Sequence, residues 1–279
     1  MSTLREKRKK ERRALRRRKT ADWTVVLILC AIAVCCGGYL IYHHWSVKQR
    51  ELEYEKLRQE ETLSAATEMV IAEPETEEST EETVIYCDPV YDFGQLHEQN
   101  EDIYAWIVVP GTQVDYPLLQ SETDNYYLDY NLDHSKGYPG CIYTNQCNRK
   151  DFSDYNTVLY GHNMKNGSMF AQLKKFTQDE ETYKKSKYFW IFTPEKNYRY
   201  EIISAYTTGV NSDTYTLFKG PGEEFEKYLE KIRGYSEIRT DAEGMNIKDK
   251  IITLSTCTGN EATRYVVQGK RVDTLDVGQ

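Results

Sequence analysis

The sequence predicts a mainly β domain with a few added helices, carried behind a membrane anchor and a charged stalk. Three observations predict it. Between residues 105 and 268, short runs of β-branched and aromatic residues alternate with turn residues at the spacing of an antiparallel barrel or sandwich. Upstream, Trp23 to Tyr42 carries no charge. Between the two lies a run dominated by Glu.

The first 22 residues hold eleven Lys/Arg against Glu6, Glu11 and Asp22, a local +8 in a chain of 279 residues with net charge −8. A basic N-terminus fits either nucleic acid or an anionic membrane surface. The next segment, WTVVLILCAIAVCCGGYLIY, decides for the membrane. Twenty helical residues at ~1.5 Å each span the ~30 Å hydrocarbon core. Trp23, Tyr39 and Tyr42 sit near its ends, where aromatic belts belong. The positive-inside rule puts residues 1–22 in the cytoplasm and everything after about His43 outside. The basic tail is then a topology signal with anionic-lipid contact, and no nucleic-acid partner is expected. No small-x-small cleavage site follows, and the residues before Cys35 and Cys36 lack the small residue that precedes a lipidated Cys. The segment therefore reads as an uncleaved single-pass anchor. Cys30, Cys35 and Cys36 inside it read as apolar fillers.

Val47 to Met69 is rich in Glu, Lys, Arg and Gln, with Leu52, Leu57, Leu63 and Ala66 too sparse for a coiled-coil seam. It reads as a solvated helical stalk. Residues 73–82, EPETEESTEE, carry six Glu and no apolar side chain, the composition of a self-repelling linker. The expected division is thus a basic tail 1–22, an anchor 23–42, a helical and disordered acidic stalk 43–83, and an extracellular catalytic domain 84–279.

Within that domain, Tyr91–Asn100 fits a helix with Leu96 inward. Eight strands are expected at Ala105–Val109, Val114–Leu119, Cys141–Thr144, Thr157–Tyr160, Tyr188–Phe192, Tyr198–Thr208, Lys250–Thr256 and Arg264–Gln268. Helical interruptions fit Ser168–Phe176 and Glu223–Ile232, the second with Phe225, Leu229 and Ile232 on one face. The 23 Tyr suit barrel walls and groove rims. Four cysteines lie beyond the anchor: Cys87, Cys141, Cys147 and Cys257. Cys141 and Cys147 could pair across a short loop, but spacing does not fix connectivity.

The chemistry centres on Cys257. A run of β-formers, Ile251-Ile-Thr-Leu-Ser-Thr-Cys257, ends in Thr-Gly, so the thiol emerges at a strand end. A buried structural Cys is the ordinary reading of a lone cysteine; a thiol presented at a turn and beside a cation is a nucleophile. His162 ends the run Val158-Leu-Tyr-Gly-His162-Asn-Met and can hold or return a proton. Arg264 opens the next β-like run, and a guanidinium suits a developing oxyanion, the substrate backbone or the thiolate. Each residue alone has a bland surface or core reading. Together they are the parts of a thiol acyl-transfer site.

The combination Thr-Leu-Ser-Thr-Cys257, then Arg264-Tyr-Val-Val-Gln-Gly, with Tyr-Gly-His162-Asn-Met upstream, resembles the sortases, and class B sortases most closely. The Asn-Glu-Asp-x-Tyr-Ala-Trp-Ile run, Asp115-Tyr-Pro, Asn125-Tyr-Tyr-Leu128, Gly140-Cys-Ile-Tyr143 and Ser168-Met-Phe extend the likeness over about residues 91–270. The long Ala205–Lys250 segment with its helix suits the same class. The resemblance implies an eight-stranded sortase-type β-barrel and a membrane-anchored cysteine transpeptidase of Gram-positive bacteria. It implies that Cys257 attacks the Thr carbonyl of a C-terminal sorting motif in a secreted protein, with His162 protonating the leaving amine. An amine then resolves the thioacyl intermediate; it comes from a peptidoglycan precursor in anchoring enzymes and from a pilin Lys in pilus-building ones. Ser255 matches a pocket-lining position of the class, and Asn125 and Leu128 fall beside the substrate groove.

Two departures stand out. Thr258 follows the nucleophile where some class B members carry an acidic residue, so no catalytic acid is assigned there. No Asp/Glu cluster resembles the calcium site of some class A enzymes, so no metal and no cofactor are expected. A membrane-bound cysteine protease using water as acceptor remains open, as does a non-catalytic surface module that keeps the barrel.

Overall fold

The computed structural model describes residues 2–65, 86–87, 91–242 and 244–277, with side chains described for 9–12, 23–58, 91–242 and 244–277. The acidic linker 73–82 and the boundary at residue 84 lie outside the described residues. Two compact units divide the chain, Met1–Leu52 and Glu53–Gln279.

Helix α1 (Ser2–Ala65) contains the first unit and continues into the second. Its stretch Trp23–Arg58 is the one helix among the described residues that is long and apolar enough to cross a membrane, and its apolar part is not buried in the protein. Trp23, Leu27, Ile28, Val34 and Leu40 all expose most of their surface.

In the second unit, β1 (Tyr86–Cys87) precedes α2 (Phe93–Gln99). Strands β2 (Ile103–Val109), β3 (Val114–Leu119), β4 (Ile142–Thr144) and β5 (Asn156–Tyr160) follow, with α3 (Tyr126–Asp129) inserted before β4. After β5 come a 3₁₀ turn at Phe170–Lys174, α4 (Lys175–Gln178) and α5 (Glu180–Lys185). Strands β6 (Tyr188–Phe192) and β7 (Lys196–Gly209) then lead to a 3₁₀ turn at Asp213–Tyr215, α6 (Glu223–Tyr235), β8 (Ile251–Cys257) and β9 (Thr263–Val277). The sheet order is β1-β9-β7-β6-β2-β3-β4-β5-β8, and β8 pairs again with β9. That last pairing closes strands β2 to β9 into an eight-stranded barrel, with β1 added in parallel outside β9.

All eight predicted strands are present. The barrel is not wholly antiparallel, however: β3–β4 and β5–β8 run parallel. A parallel pair requires a crossover rather than a hairpin, and those crossovers are the segments that hold α3 and α6. Strands β7 and β9 also run further than their apolar runs. Their extra length pairs Lys196–Arg199 with Asp273–Asp276, where Arg199 bonds Asp273 and Lys196 Nζ lies 2.8 Å from Asp276. Cross-strand charge pairs there take the place of apolar alternation.

Two buried clusters result. The first holds Ile103, Ala105, Ile107, Leu118, Leu159, Ile252, Leu254, Tyr265 and Val267 of the barrel wall, with Trp106 stacked on Tyr91 at 4.7 Å. The second cluster lies outside the β8 wall, where Phe225, Tyr228, Leu229 and Ile232 of α6 cover Ile203 and Ile251. The pleat explains the split: alternate residues face opposite sides, so Ile252 and Leu254 point inward while Ile251, Thr253 and Ser255 face outward, Ile251 against α6. Helix α2 is capped by Asp92, whose Oδ1 accepts from Gln95 N at 3.1 Å. Cys141, buried, and Cys147, exposed, are not joined in a disulfide.

Candidate active site

The same pleat brings the three predicted reactive residues to one place. On β8 the outward series Thr253, Ser255 ends in Cys257. On β9, Arg264 is the register partner of Cys257. On β5, Asn156 and Tyr160 pair in parallel with Ile251 and Ser255, and Gly161 N continues the ladder to Ser255 O at 3.2 Å. Two residues further this register sets His162 level with Cys257. Asn163 fixes the approach, since its Nδ2 donates to Cys257 O at 2.8 Å. All three side chains are half-buried.

Local sequence explains each placement. Gly161 is obligatory: a Cβ there would meet Ile142 Cδ1 at 2.4 Å and the Phe170 ring at 2.9 Å. The chain can thus turn His162 outward only by keeping its preceding residue bare. Between Cys257 and Arg264, Gly259 takes φ +95, a left-handed conformation that suits glycine. Thr258 Oγ1 lies 2.6 Å from Thr263 Oγ1 and closes that turn.

The His162 ring is held from one side. Its Nε2 lies 2.7 Å from Leu128 O; a carbonyl only accepts, so Nε2–H donates to it. Tyr138 stands edge-on to the ring at 5.0 Å. Arg264 folds over its own turn, with Nη1 donating to Glu261 O at 3.0 Å and Thr263 O at 2.9 Å.

Of the residues predicted to line a substrate groove, Ser255 is buried, and its Oγ is 2.9 Å from Tyr215 Oη. Asn125 caps α3 in a left-handed conformation and accepts from Tyr143 Oη at 2.8 Å. Leu128 enters through its carbonyl on His162. Around them stands an aromatic wall, which the tyrosine-rich composition anticipated in kind but not by residue. Tyr143 pairs with Tyr160 at 5.4 Å, and Tyr160 stacks on Tyr215 at 6.3 Å. Burial pushes the Tyr215 hydroxyl up to about 12, while Ser255 and Arg264 pull the other way. It therefore remains a neutral donor at working pH. Burial raises Tyr143 too, and the neighbouring Tyr160 and Asp124 add to that.

Tyr215 is fixed from behind by a buried polar network. Gln268 uses both lone pairs and both N–H groups. Its Oε1 accepts from Ser204 Oγ (2.9 Å) and Tyr206 Oη (3.1 Å), and its Nε2 donates to Tyr228 Oη (2.8 Å) and Thr253 Oγ1 (2.9 Å). Tyr228 Oη in turn donates to Thr214 O, and Asn156 Nδ2 donates to Thr214 O and Thr216 O. The turn bearing Tyr215 is thereby tied to β5, β7, β8 and β9. A network with every member satisfied rigidifies what it holds.

The arrangement offers a thiol, an imidazole and a guanidinium at one strand-end cluster beside a tyrosine-walled face, which suits covalent acyl transfer. Among the described residues no group of His, Cys, Asp and Glu is arranged to hold a metal ion.

Comparison with known proteins agrees. The sortase domain profile matches residues 107–272. A sortase B of Listeria monocytogenes is 38% identical over 182 residues, covering 63% of this chain and 72% of that protein. The structure of a Staphylococcus aureus sortase B–substrate complex superposes with a TM-score of 0.67 at 27% identity, covering 81% of this chain and 97% of the other. A sortase B complexed with triglycine gives 0.67 at 26% identity, covering 81% and 98%.

Proposed function

Because this chain belongs to the sortase family of cysteine transpeptidases and has class B relatives, we propose that it cleaves a C-terminal sorting motif of secreted proteins after Thr. It then transfers the new acyl group to an amine of the cell-wall peptidoglycan. The observation that carries this reading is the meeting of Cys257, Arg264 and His162 on the outer face of β8, β9 and β5.

In this reading Cys257 gives its proton to His162, and its sulfur bonds to the Thr carbonyl carbon. The C–N bond then breaks, and the leaving amine takes a proton from His162. The acceptor amine attacks the thioester carbonyl, gives a proton back to the imidazole and releases Cys257. Arg264 leaves its turn carbonyls to meet the oxyanion or the substrate backbone. With Nε2 committed to Leu128 O, the ring exchanges its proton through Nδ1. Tyr215, Ser255, Asn125 and Leu128 border the groove. The relative solved as a substrate complex and the one complexed with triglycine support a peptide donor and a glycine-type amine acceptor.

Residues 23–42 anchor the enzyme, with 1–22 cytoplasmic and the catalytic domain, 84–279, outside. The stalk 43–83 joins the two, and the burial of Tyr54 and Leu57 ties its helical part to the catalytic unit. The test is a panel of quenched sorting peptides, with and without triglycine. Cleavage after Thr with transfer to triglycine is the expected result. Hydrolysis that triglycine never diverts would support a protease instead, and transfer only to a pilin Lys would support pilus assembly.

A further inference from the structure

The sequence casts the helix beyond the anchor as a solvated stalk, yet Tyr54 and Leu57 of α1 are only 3% and 2% exposed. They and Arg58 lie at i, i+3 and i+4, on one helix face. That face meets the barrel within the unit starting at Glu53. Tyr54 Oη donates to Gly140 O at 2.9 Å. Its ring packs edge-on to Tyr116 at 5.3 Å. The Arg58 guanidinium lies over the Tyr116 ring at 5.2 Å, and its charge acts on Asp115.

Both receivers of Tyr54 lead to His162. Gly140 sits against α3: a Cβ there would lie 2.7 Å from Tyr127 O and 2.8 Å from Leu128 O, and Cys141 N bonds Tyr127 O at 2.9 Å. Leu128 O is the acceptor of His162 Nε2. Tyr138, which stands edge-on to the imidazole, is two residues before Gly140. On the other route, Tyr116 Oη accepts from Met169 N at 3.1 Å. Met169 bridges Asn163, and Phe170 N donates to His162 O at 3.0 Å. One phenol ring therefore contacts the Gly140 segment directly and, through Tyr116, the Met169–Phe170 segment that bonds the His162 backbone.

We propose that the membrane-proximal helix is a positioning element of the active site, in which Tyr54, Leu57 and Arg58 set the two segments that orient His162 toward Cys257. The helix leaving the anchor then does more than tether the enzyme, since it supports both segments that place His162. This rests on the Cys257–His162 pairing proposed above.

The test uses the full chain in detergent micelles and the pH profile of Cys257 alkylation by iodoacetamide, read by peptide mass spectrometry. His162→Ala defines the profile of a thiol without its imidazole. Tyr54→Ala should move the midpoint toward that profile and slow alkylation at pH 7 by at least ~3-fold. Tyr54→Phe, which keeps the ring and loses the hydroxyl's bonds to Gly140 O and Cys141 Sγ, should shift it the same way by less, with Tm lowered by only a few degrees. Tyr54 variants that fold and titrate as wild type, while His162→Ala does not, would overturn the proposal. Should Tyr54→Ala fail to fold, a wild-type profile in Tyr54→Phe overturns it equally. A His162→Ala profile identical to wild type would sink the pairing itself, and this inference with it.

Discussion

Gly161→Ala tests how the fold aims His162. The added Cβ would stand 2.4 Å from Ile142 Cδ1 and 2.9 Å from two atoms of the Phe170 ring. Comfortable carbon contacts begin near ~3.5 Å, so about 1 Å of space must be made. Ile142 and Phe170 are 1% and 0% exposed, and a packed core yields little. Overpacking of this kind costs about 1–3 kcal/mol. At ~3 °C per kcal/mol for a domain of this size, Tm should fall by about 3–9 °C. The cheapest relief is to move the backbone of β5 outward, which carries His162 with it. A misplacement of ~1 Å can cost about 10²-fold in rate, so kcat/KM with a cleaved peptide should fall by about that factor. Gly234→Ala is the control. It lies in α6 with nothing within 4 Å of the added Cβ, so it should raise stability by about 0.5–1 kcal/mol and leave activity alone. The assay is thermal unfolding alongside peptide cleavage. A Gly161→Ala protein with wild-type Tm and kcat/KM within twofold of wild type would refute the reasoning.

Four further outcomes follow from the same geometry. Cys257→Ala should abolish cleavage, because the remaining thiols, buried Cys141 and exposed Cys147 among them, stand elsewhere; measurable turnover would end the nucleophile assignment. Arg264→Lys keeps the charge but loses the planar fork, and kcat should fall by about 10²-fold; near wild-type kcat would exclude a geometric role at the oxyanion. Gln268→Leu removes four buried bonds at once and takes from Ser204 Oγ its acceptor in the core, so it should cost at least ~2 kcal/mol and raise KM more than it lowers kcat, as the Tyr215 turn loosens. Asp115→Asn addresses pH. Burial holds the Asp115 carboxyl above its ordinary value, against the pull of its Trp106 bond. A folded-state pKa above the unfolded one gives stability that is present below the unfolded value and lost as pH rises through the folded one. Asparagine still accepts from Trp106, so the variant should match or exceed wild-type stability at pH 7 and converge with it toward pH 3; a lower Tm at pH 7 would reverse the sign.

Much of this was legible in the sequence because its signals are local. Each strand of the barrel announced itself as an apolar run with turn residues at its ends, and Cys257, His162 and Arg264 each sit at such an end. The failures are non-local. Nothing in Asn163 or Gly161 marks a contact with a strand 94 residues away. Tyr215 lies in a polar turn, and only the buried side chain of Gln268, far along the chain, shows why it is fixed. The parallel pairs β3–β4 and β5–β8 depend on where crossovers pass, which periodicity does not encode. Tyr54 and Leu57 were hidden because two apolar residues on a charged helix make no amphipathic stripe; their partner is a single tyrosine and a glycine carbonyl, not a broad core face. The charged ends of β7 and β9 escaped for a related reason, since ion pairs there replace the alternation that marks a strand.

The central claim is that Cys257 forms the covalent link in an acyl transfer. The most direct measurement is the intact and peptide-mapped mass of the full chain after brief incubation with the sorting-peptide panel. The account predicts an adduct on Cys257 equal to the peptide's N-terminal fragment through Thr, lost when triglycine is added. An adduct mapping to Cys141 or Cys147, or transfer to triglycine by a Cys257→Ala protein, would contradict it.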